Sequence, residues 1–398
     1  MGKVKLGDIA VLINGDRGKN YPSQKEIITS GGIPFVNAGH LNGRAIEFEA
    51  MNYITPEKYE KLNSGKFQQN DILYCLRGSL GKKALINDNI YGAIASSLVI
   101  IRPNLEKVRP QYLMLALETL LIKEQLFKFN NGSSQPNLSA KSVKEYKLEL
   151  PDLFIQDSII SKLEKVRNLI EDEKQEKLLL DNLIQARFVE MFGDAYLNEF
   201  GWKKIKIKNA VTVEPQNGMY KPQSDYVTDG SGIPILRIDG FYDGVVTDFS
   251  SLKRLRCSEN ERQKYLLYED DVVINRVNSI EYLGKCAHIN GLLEDTVYES
   301  NMMRMHFDST RFHPVYVCRL LCSRFVYDQI VNHAKQAVNQ ASINQKDVLD
   351  FDIYEPPLKL QIQFADFVRA VDKSKVEIQK ALDKTQMLFD SLMQEYFG

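Results

Sequence analysis

Apolar residues at Ile159, Leu163, Val166 and Ile170 step by four, three and four, and after the charged stretch Glu171 to Lys177 the pattern resumes at Leu180, Leu183 and Ile184. A more regular stripe runs through Phe364, Val368, Val371, Lys375, Ile378, Leu382, Thr385, Phe389, Leu392 and Tyr396. Both are heptad stripes and predict long coiled-coil helices. The first, from about Phe154 to Phe192, is roughly 58 Å long at ~1.5 Å per residue. A lone helix of that length cannot keep one face dry, so the pattern predicts that the two helices pack together, antiparallel.

Elsewhere the apolar runs are short and bounded by turn residues. Ile72-Leu73-Tyr74-Cys75, Ser97-Leu98-Val99-Ile100-Ile101 and Asp271-Val272-Val273-Ile274 read as buried strands, and Val4-Lys5-Leu6 and Ile205-Lys206-Ile207 as short opening strands. Helices are expected to begin near Pro110 and Pro314, where a missing N–H costs nothing, the first ending at Asn131-Gly132.

These elements occur twice. Gly32-Ile33-Pro34 returns as Gly232-Ile233-Pro234, and Asp71-Ile72-Leu73 as Asp271-Val272-Val273, at one offset of 200 residues. Pro110-Gln111-Tyr112 matches Pro314-Val315-Tyr316, Pro151 matches Pro356 and Gln156 matches Gln361. Leu180-Asp181-Asn182-Leu183-Ile184-Gln185 likewise resembles Phe389-Asp390-Ser391-Leu392-Met393-Gln394. A period this long is a duplicated α+β module of roughly 150 residues, not a solenoid repeat.

The 398 residues, 44% of them hydrophobic, can bury more than one core. Cys75, Cys257, Cys286, Cys318 and Cys322 are odd in number and form no CxxC pair, which points to reduced thiols in a cytoplasm. Nothing approaches the ~18 apolar residues of a membrane helix, and Met1-Gly2-Lys3-Val4-Lys5 leads into structure rather than an apolar signal core. A net charge of −1 argues against bulk electrostatic coating of nucleic acid, but the charge is uneven. Residues 1–150 carry 20 Lys and Arg against 14 Asp and Glu, residues 151–201 carry 6 against 11, residues 202–355 carry 19 against 21, and the tail is balanced. A basic first module beside an acidic helix suits a phosphate-facing surface next to a protein-facing one.

Two modules alternating with two long helices, Pro151/Gln156 and Pro356/Gln361 opening those helices, and Gln185-Ala186-Arg187-Phe188-Val189-Glu190-Met191-Phe192-Gly193-Asp194 closing the first, make the chain resemble the specificity subunits of type I restriction-modification enzymes. The resemblance covers essentially the whole chain. It implies target-recognition domains at residues 1–150 and 201–356, a central helix at 151–200 and a C-terminal helix at 357–398, joined as an antiparallel coiled coil with pseudo-twofold symmetry. It further implies that each domain reads one half of a split double-stranded DNA target, that the helices set the gap between halves, and that two methyltransferase subunits, together with restriction subunits, dock on the chain and carry the catalysis. No cofactor or metal is expected on the chain itself. Half-sites on one face of B-DNA recur about every 34 to 36 Å, within the compass of such a helix.

Candidate DNA contacts lie in polar loops. The first module offers Arg17, Lys19, Asn20 and Tyr21, and the corresponding loop of the second offers Asn217, Tyr220 and Lys221. Modules that read different sequences must differ where they touch bases, which selects Asn37 opposite Arg237, and Arg77 and Ser79 opposite Arg276 and Asn278. Arginine can grip guanine and asparagine adenine in bidentate fashion. Gln135, in Ser133–Asn137, and Asn339 and Gln340, in Val338–Ser342, occupy matching positions after the module helices and suit phosphate contact or turn capping.

Rival chemistries fit less well. Asp152 with Asp172-Glu173-Lys174 has the spacing of a PD-(D/E)xK nuclease, but Asp172 and Lys174 fall on different faces of a helix. Glu355-Pro356-Pro357-Leu358 lacks the flanking amide and aromatic ring of an amino-methyltransferase motif, and reads as a stiff helix entry. Gly15–Lys19 and Gly78–Lys82 are too short for a phosphate-binding P-loop. His306, His313, Cys318 and Cys322 match no standard zinc finger and read as core residues. A self-contained methyltransferase or nuclease and a coiled-coil protein-interaction scaffold remain the alternatives to a DNA-reading subunit.

Overall fold

The structure, a computed structural model, describes residues 2–130, 136–242, 244–246, 248–338 and 340–398. The expected helix end at Asn131-Gly132, the Ser133–Gln135 stretch and Asn339 lie outside the described residues. The chain is α+β and divides into two units, one of residues 1–174 with 380–398 and one of residues 175–379.

In the first unit an antiparallel sheet runs in the order Ala10–Asn14, Leu98–Pro103, Ile72–Cys75, Lys83–Leu85. Its central strands bury consecutive residues because both faces are covered, which accounts for unbroken apolar runs instead of alternation. A second sheet, ordered Tyr53–Ile54, Ile33–Val36, Gly92–Ile94, Lys66–Phe67, contains one parallel pair. Lys3–Lys5 pairs antiparallel with Lys147–Glu149.

The second unit repeats this plan. Val211–Asn217, Met302–Phe307, Val272–Asn275 and Cys286–His288 form the corresponding sheet, extended by Gly244–Val246 and Phe241–Tyr242. Ile233–Leu236 pairs in parallel with Val297–Tyr298, and Lys203–Lys206 pairs antiparallel with Asp352–Glu355. The repeated aspartates are ion-pair anchors under these sheets. Buried Asp71 takes two hydrogen bonds from Arg102, at 2.8 and 2.7 Å, and buried Asp271 binds Arg304 at 3.2 Å and His306 at 3.0 Å.

The helix expected from Pro110 is in fact two, Pro110–Ala116 and Leu120–Phe129; its counterpart divides into Pro314–Leu321 and Arg324–His333. Thr119 and Ser323 interrupt them, each hydroxyl accepting the backbone N–H three residues on and starting a new helix.

Leu153–Phe192 and Leu358–Phe397 are the two long helices, 40 residues each. In the first unit Lys162 donates to the Tyr396 hydroxyl at 3.1 Å, Arg167 lies over the Phe389 ring at 5.0 Å and Thr385 donates to Glu173 at 3.2 Å. In the second, Lys177 donates to Gln379 at 2.8 Å, Lys375 pairs with Asp181, and Phe188 meets Phe364 edge-on at 5.4 Å. Partner numbers fall on one helix as they rise on the other, so the segments pair antiparallel within each unit. One detail differs from expectation: Leu183 is 46% exposed while Ile184 takes the buried position.

Each helix entry is locked by its repeated glutamine. Gln156 is fully buried, accepts the N–H of Arg109 at 2.8 Å and donates to the carbonyls of Lys107 and Pro151 at 3.0 and 2.8 Å. Gln361 makes the same three bonds to His313, Arg311 and Pro356.

Candidate nucleic-acid interface

In each unit, one short connecting segment gathers the polar loops. In the first it is 94–97, between the strands Gly92–Ile94 and Leu98–Pro103. A Cβ on Gly15 would lie 2.7 Å from the Ala95 carbonyl oxygen, so only glycine lets the 15–21 loop press this close. Arg17 donates to the Ser96 carbonyl at 3.3 Å, Ala95 N–H to the Val36 carbonyl at 2.8 Å and Leu76 N–H to the Ser97 carbonyl at 2.8 Å. The loops bearing Arg17, Asn37 and Arg77 therefore share one support. Gly78 N–H donates to the Pro136 carbonyl at 3.4 Å and Arg77 pairs with Asn137, which adds the segment following Gln135, itself outside the described residues.

The second unit builds the same arrangement on 298–301. Met219 N–H donates to the Tyr298 carbonyl at 2.8 Å, Glu299 N–H to Leu236 at 3.0 Å, and Arg276 N–H to Asn301 at 2.8 Å. The strand Val277–Asn278 pairs with Ala341–Ser342, bringing Asn278 beside the hairpin that carries Gln340.

Individual side chains differ in their freedom. Lys19, Arg77 and Ser79 are exposed, as are Asn217, Gln340 and Tyr220, the last by 78%. Asn20 is half-buried, and Tyr21 packs edge-on against Phe35 with ring centres 5.8 Å apart, so its ring serves the core as well as the loop. Asp16 shapes this loop by accepting Gly18 and Asn63 N–H groups at 2.8 and 2.9 Å, bonds that hold its carboxyl below the usual range. Asn37 caps the short helical turn Ala38–His40, its side-chain oxygen accepting Gly39 N–H at 2.8 Å. Lys221 is committed to Glu261 at 2.9 Å and Asp225 at 3.6 Å, and the Glu261 hydrogen bond chiefly raises its pKa. Arg237 lies 3.6 Å from Asp239 and 4.0 Å from Glu299. Arg276 donates to the Ser300 carbonyl at 3.1 Å, and Asn278 accepts the Ser279 N–H at 2.8 Å.

Three features escaped the sequence reading. The supporting segments were legible only as polar residues between apolar runs, Ser96-Ser97 and Glu299-Ser300-Asn301. Glu299 stands where the first unit has Ala95, and burial pushes its carboxyl up against the opposing effects of Ile238 N–H and Arg237. Asn275 is fully buried with neither amide atom hydrogen-bonded among the described residues.

The suspected zinc residues separate. His306 binds Asp271, and His313 caps the helix Pro314–Leu321 by accepting Val315 N–H at 3.3 Å. Cys318 and Cys322 converge instead on Cys286, so these three thiols do not stand alone. The residues of the nuclease spacing serve the long helix: Asp152, just before it, accepts Ile155 N–H at 2.9 Å, and Lys174 within it pairs with Glu171 at 2.8 Å.

The chain is therefore a duplicated α+β protein in which each copy presents polar loops on a backbone support and packs on a pair of antiparallel helical segments. Residues 1–181 match the family model of the type I restriction modification DNA specificity domain. The Escherichia coli K12 type I restriction enzyme EcoKI specificity subunit is 22% identical over 414 residues, covering 96% of this chain and 85% of that protein. A putative MjaX specificity subunit from Methanocaldococcus jannaschii is 28% identical over 219 residues, 54% of this chain and 50% of that protein. Among solved structures, a type I restriction-modification S subunit from M. genitalium aligns over 100% of this chain and 96% of its own with a TM-score of 0.58 at 13% identity. A chain from a study of complex assembly and conformational transition of the type I R-M system covers 99% of this chain and 97% of its own, with a TM-score of 0.59 at 17% identity. At those identities the structural likenesses establish the fold. Residues 1–181 thus carry the type I restriction modification DNA specificity domain, and the chain as a whole is similar to type I restriction enzyme specificity subunits. No helix among the described residues is long and apolar enough to cross a membrane.

Proposed function

We propose that this chain is the non-catalytic, sequence-reading subunit of a cytoplasmic type I restriction-modification complex. Each unit reads one half of a bipartite double-stranded DNA site, and the long helices offer docking surface to two methyltransferase subunits and to restriction subunits. The domain boundaries proposed for this role are residues 1–150 and 201–356 for the readers, with 151–200 and 357–398 as helices. The observation that carries the reading is the doubled loop support: three polar loops in each unit converge on a backbone segment, at 94–97 and at 298–301, and a fourth segment joins them through 77–78 or 277–278. Apart from the Arg17 guanidinium, the bonds to these supports are main-chain ones, so the loops can change most side chains, and so the bases they prefer, without losing shape.

Single-molecule methylome sequencing of a host carrying the chain and its methyltransferase partner, with and without the first module, tests this. The expected result is a split methylated motif that loses one half with the module. A motif unchanged by the deletion overturns the reading, and methyl transfer from S-adenosylmethionine by the chain unaided supports the catalytic alternative. Binding to protein but not to bipartite DNA, insensitive to salt, supports the scaffold. The spacer role of the helices rests on sequence alone; inserting about four residues near Glu173, roughly one turn, with the matching insertion near Thr385, is expected to change the gap between half-sites.

A further inference from the structure

Three cysteines far apart in sequence meet in the second unit. Cys286 opens the strand Cys286–His288, while Cys318 and Cys322 lie one helical turn apart on and just beyond the helix Pro314–Leu321. The sulfur of Cys286 is 3.6 Å from that of Cys318 and 3.1 Å from that of Cys322, and all three lie within 4.8 Å of one another. Cys286 and Cys318 are buried and Cys322 is at the exposed rim. Four sulfurs around a tetrahedral zinc at a bond length of about 2.3 Å stand about 3.8 Å apart, so these spacings need only a small adjustment.

The first unit shows what this position does. Strand register places Lys83 opposite Tyr74 as Cys286 is opposite Ile274, and the prolines Pro110 and Pro314 put Glu118 where Cys322 stands. The hairpins Leu41–Ile46 and Phe241–Val246 likewise align Arg44 with Gly244. In the first unit Arg44 grips Glu118 at 2.7 and 3.2 Å and Glu164 at 2.7 Å, so a cation ties hairpin, module helix and long helix together. The second unit has lost both ends of that tie. Gly244 has no side chain, a Cβ there would lie 3.3 Å from the Cys318 sulfur, and the carboxylate is a thiol.

We propose that Cys286, Cys318 and Cys322 form a zinc site, with the metal ion anchoring the module helix of the second unit at the position where Arg44 anchors it, through Glu118, in the first. Thiolate ligands favour a soft or borderline ion, and three thiolates would join the strand Cys286–His288 to the module helix that the arginine also grips, through Glu118, in the first unit. Cys322 lines a cavity of about 550 Å³, shared with Arg319, Ser323 and Arg324, from which solvent supplies the fourth ligand.

The test uses the full chain, purified under reducing conditions and equilibrated with Zn²⁺, then with Co²⁺. One zinc per chain is expected by elemental analysis, with a sulfur-to-cobalt charge-transfer band for the cobalt form. Zinc should also shield three of the five thiols from a thiol reagent until a chelator is added. Cys318→Ser and Cys322→Ser should each lose the bound equivalent and the band; Cys257→Ser should keep both. A wild-type chain that retains no zinc, a serine variant that binds as well as wild type, or a Cys286–Cys322 disulfide that persists under reducing conditions overturns the proposal.

Discussion

The side-chain oxygen of Gln361 accepts the backbone N–H of His313 at 2.8 Å, at the point where the module helix Pro314–Leu321 begins. The same amide reaches back to Arg311 and Pro356, so one fully buried side chain satisfies three main-chain groups. Gln361→Ala strands those groups and is expected to cost about 1–3 kcal/mol in urea unfolding. Gln156→Ala should cost a like amount, and a neutral result at both sites would refute the lock.

Phe364 is fully buried between Phe188 and Phe192, with ring centres at 5.4 and 5.6 Å. Phe364→Ala removes the ring that both aromatics face and is expected to destabilise the second unit by about 3–5 kcal/mol. Phe389→Ala, where Arg167 covers the ring on the polar part of the seam, should cost less. Thermal denaturation of the two variants side by side measures the difference.

Lys19 and Arg77 are exposed at the rim of the first unit, whereas Lys221 in the second is held by Glu261 and Asp225. Lys19→Ala and Arg77→Ala should each reduce the salt dependence of DNA binding by about one phosphate contact. Lys221→Ala should leave that slope unchanged. Fluorescence anisotropy on labelled duplex across a salt series, using the chain with its methyltransferase partner, distinguishes them.

Arg276 precedes and Asn278 lies on the edge strand Val277–Asn278, which pairs with Ala341–Ser342 next to Gln340. Alanine at either position is expected to relax base preference in one half-site only, by about 1–3 kcal/mol at the affected base pair. Methylome motifs from each variant give the readout, and relaxation in both halves would contradict the assignment of one reader to one unit.

Ser258 and Glu261 form a reciprocal cap on the helix Glu259–Tyr265. The Ser258 N–H, then Lys221 and the Ser258 hydroxyl, hold the Glu261 carboxyl down to about 2 from an ordinary 4.5. A depressed carboxyl stabilises the fold above its unfolded pKa, and that contribution fades as pH falls from about 4.5 towards 2. Lys221→Met should raise the Glu261 midpoint, read by carbon-detected NMR titration of selectively labelled glutamate.

The seam of the second long helix was readable because a heptad is local. Lys375 and Thr385, polar residues in an apolar stripe, did turn out to face the partner segment, where each finds a polar group. The repeated Pro and Gln marked helix entries for the same reason. What sequence could not disclose were meetings between distant residues. Cys286 lies 32 positions from Cys318, and only the pairing of strand with helix brings them together. The supports at 94–97 and 298–301 act through main-chain atoms, which leave little trace in residue identity. The hidden break at Thr119 followed a similar logic: a threonine within an apolar helical pattern is unremarkable until its hydroxyl caps a new helix.

In each unit the first strand of the module pairs with its last, Lys3–Lys5 with Lys147–Glu149 and Lys203–Lys206 with Asp352–Glu355. Entry and exit of the polypeptide are thereby stitched side by side, and everything between them is a closed excursion. A reader of this build can be lifted out and another inserted with only two neighbouring junctions to heal. New target preferences can then arise by exchange of whole cassettes, while the braced helices are inherited unchanged.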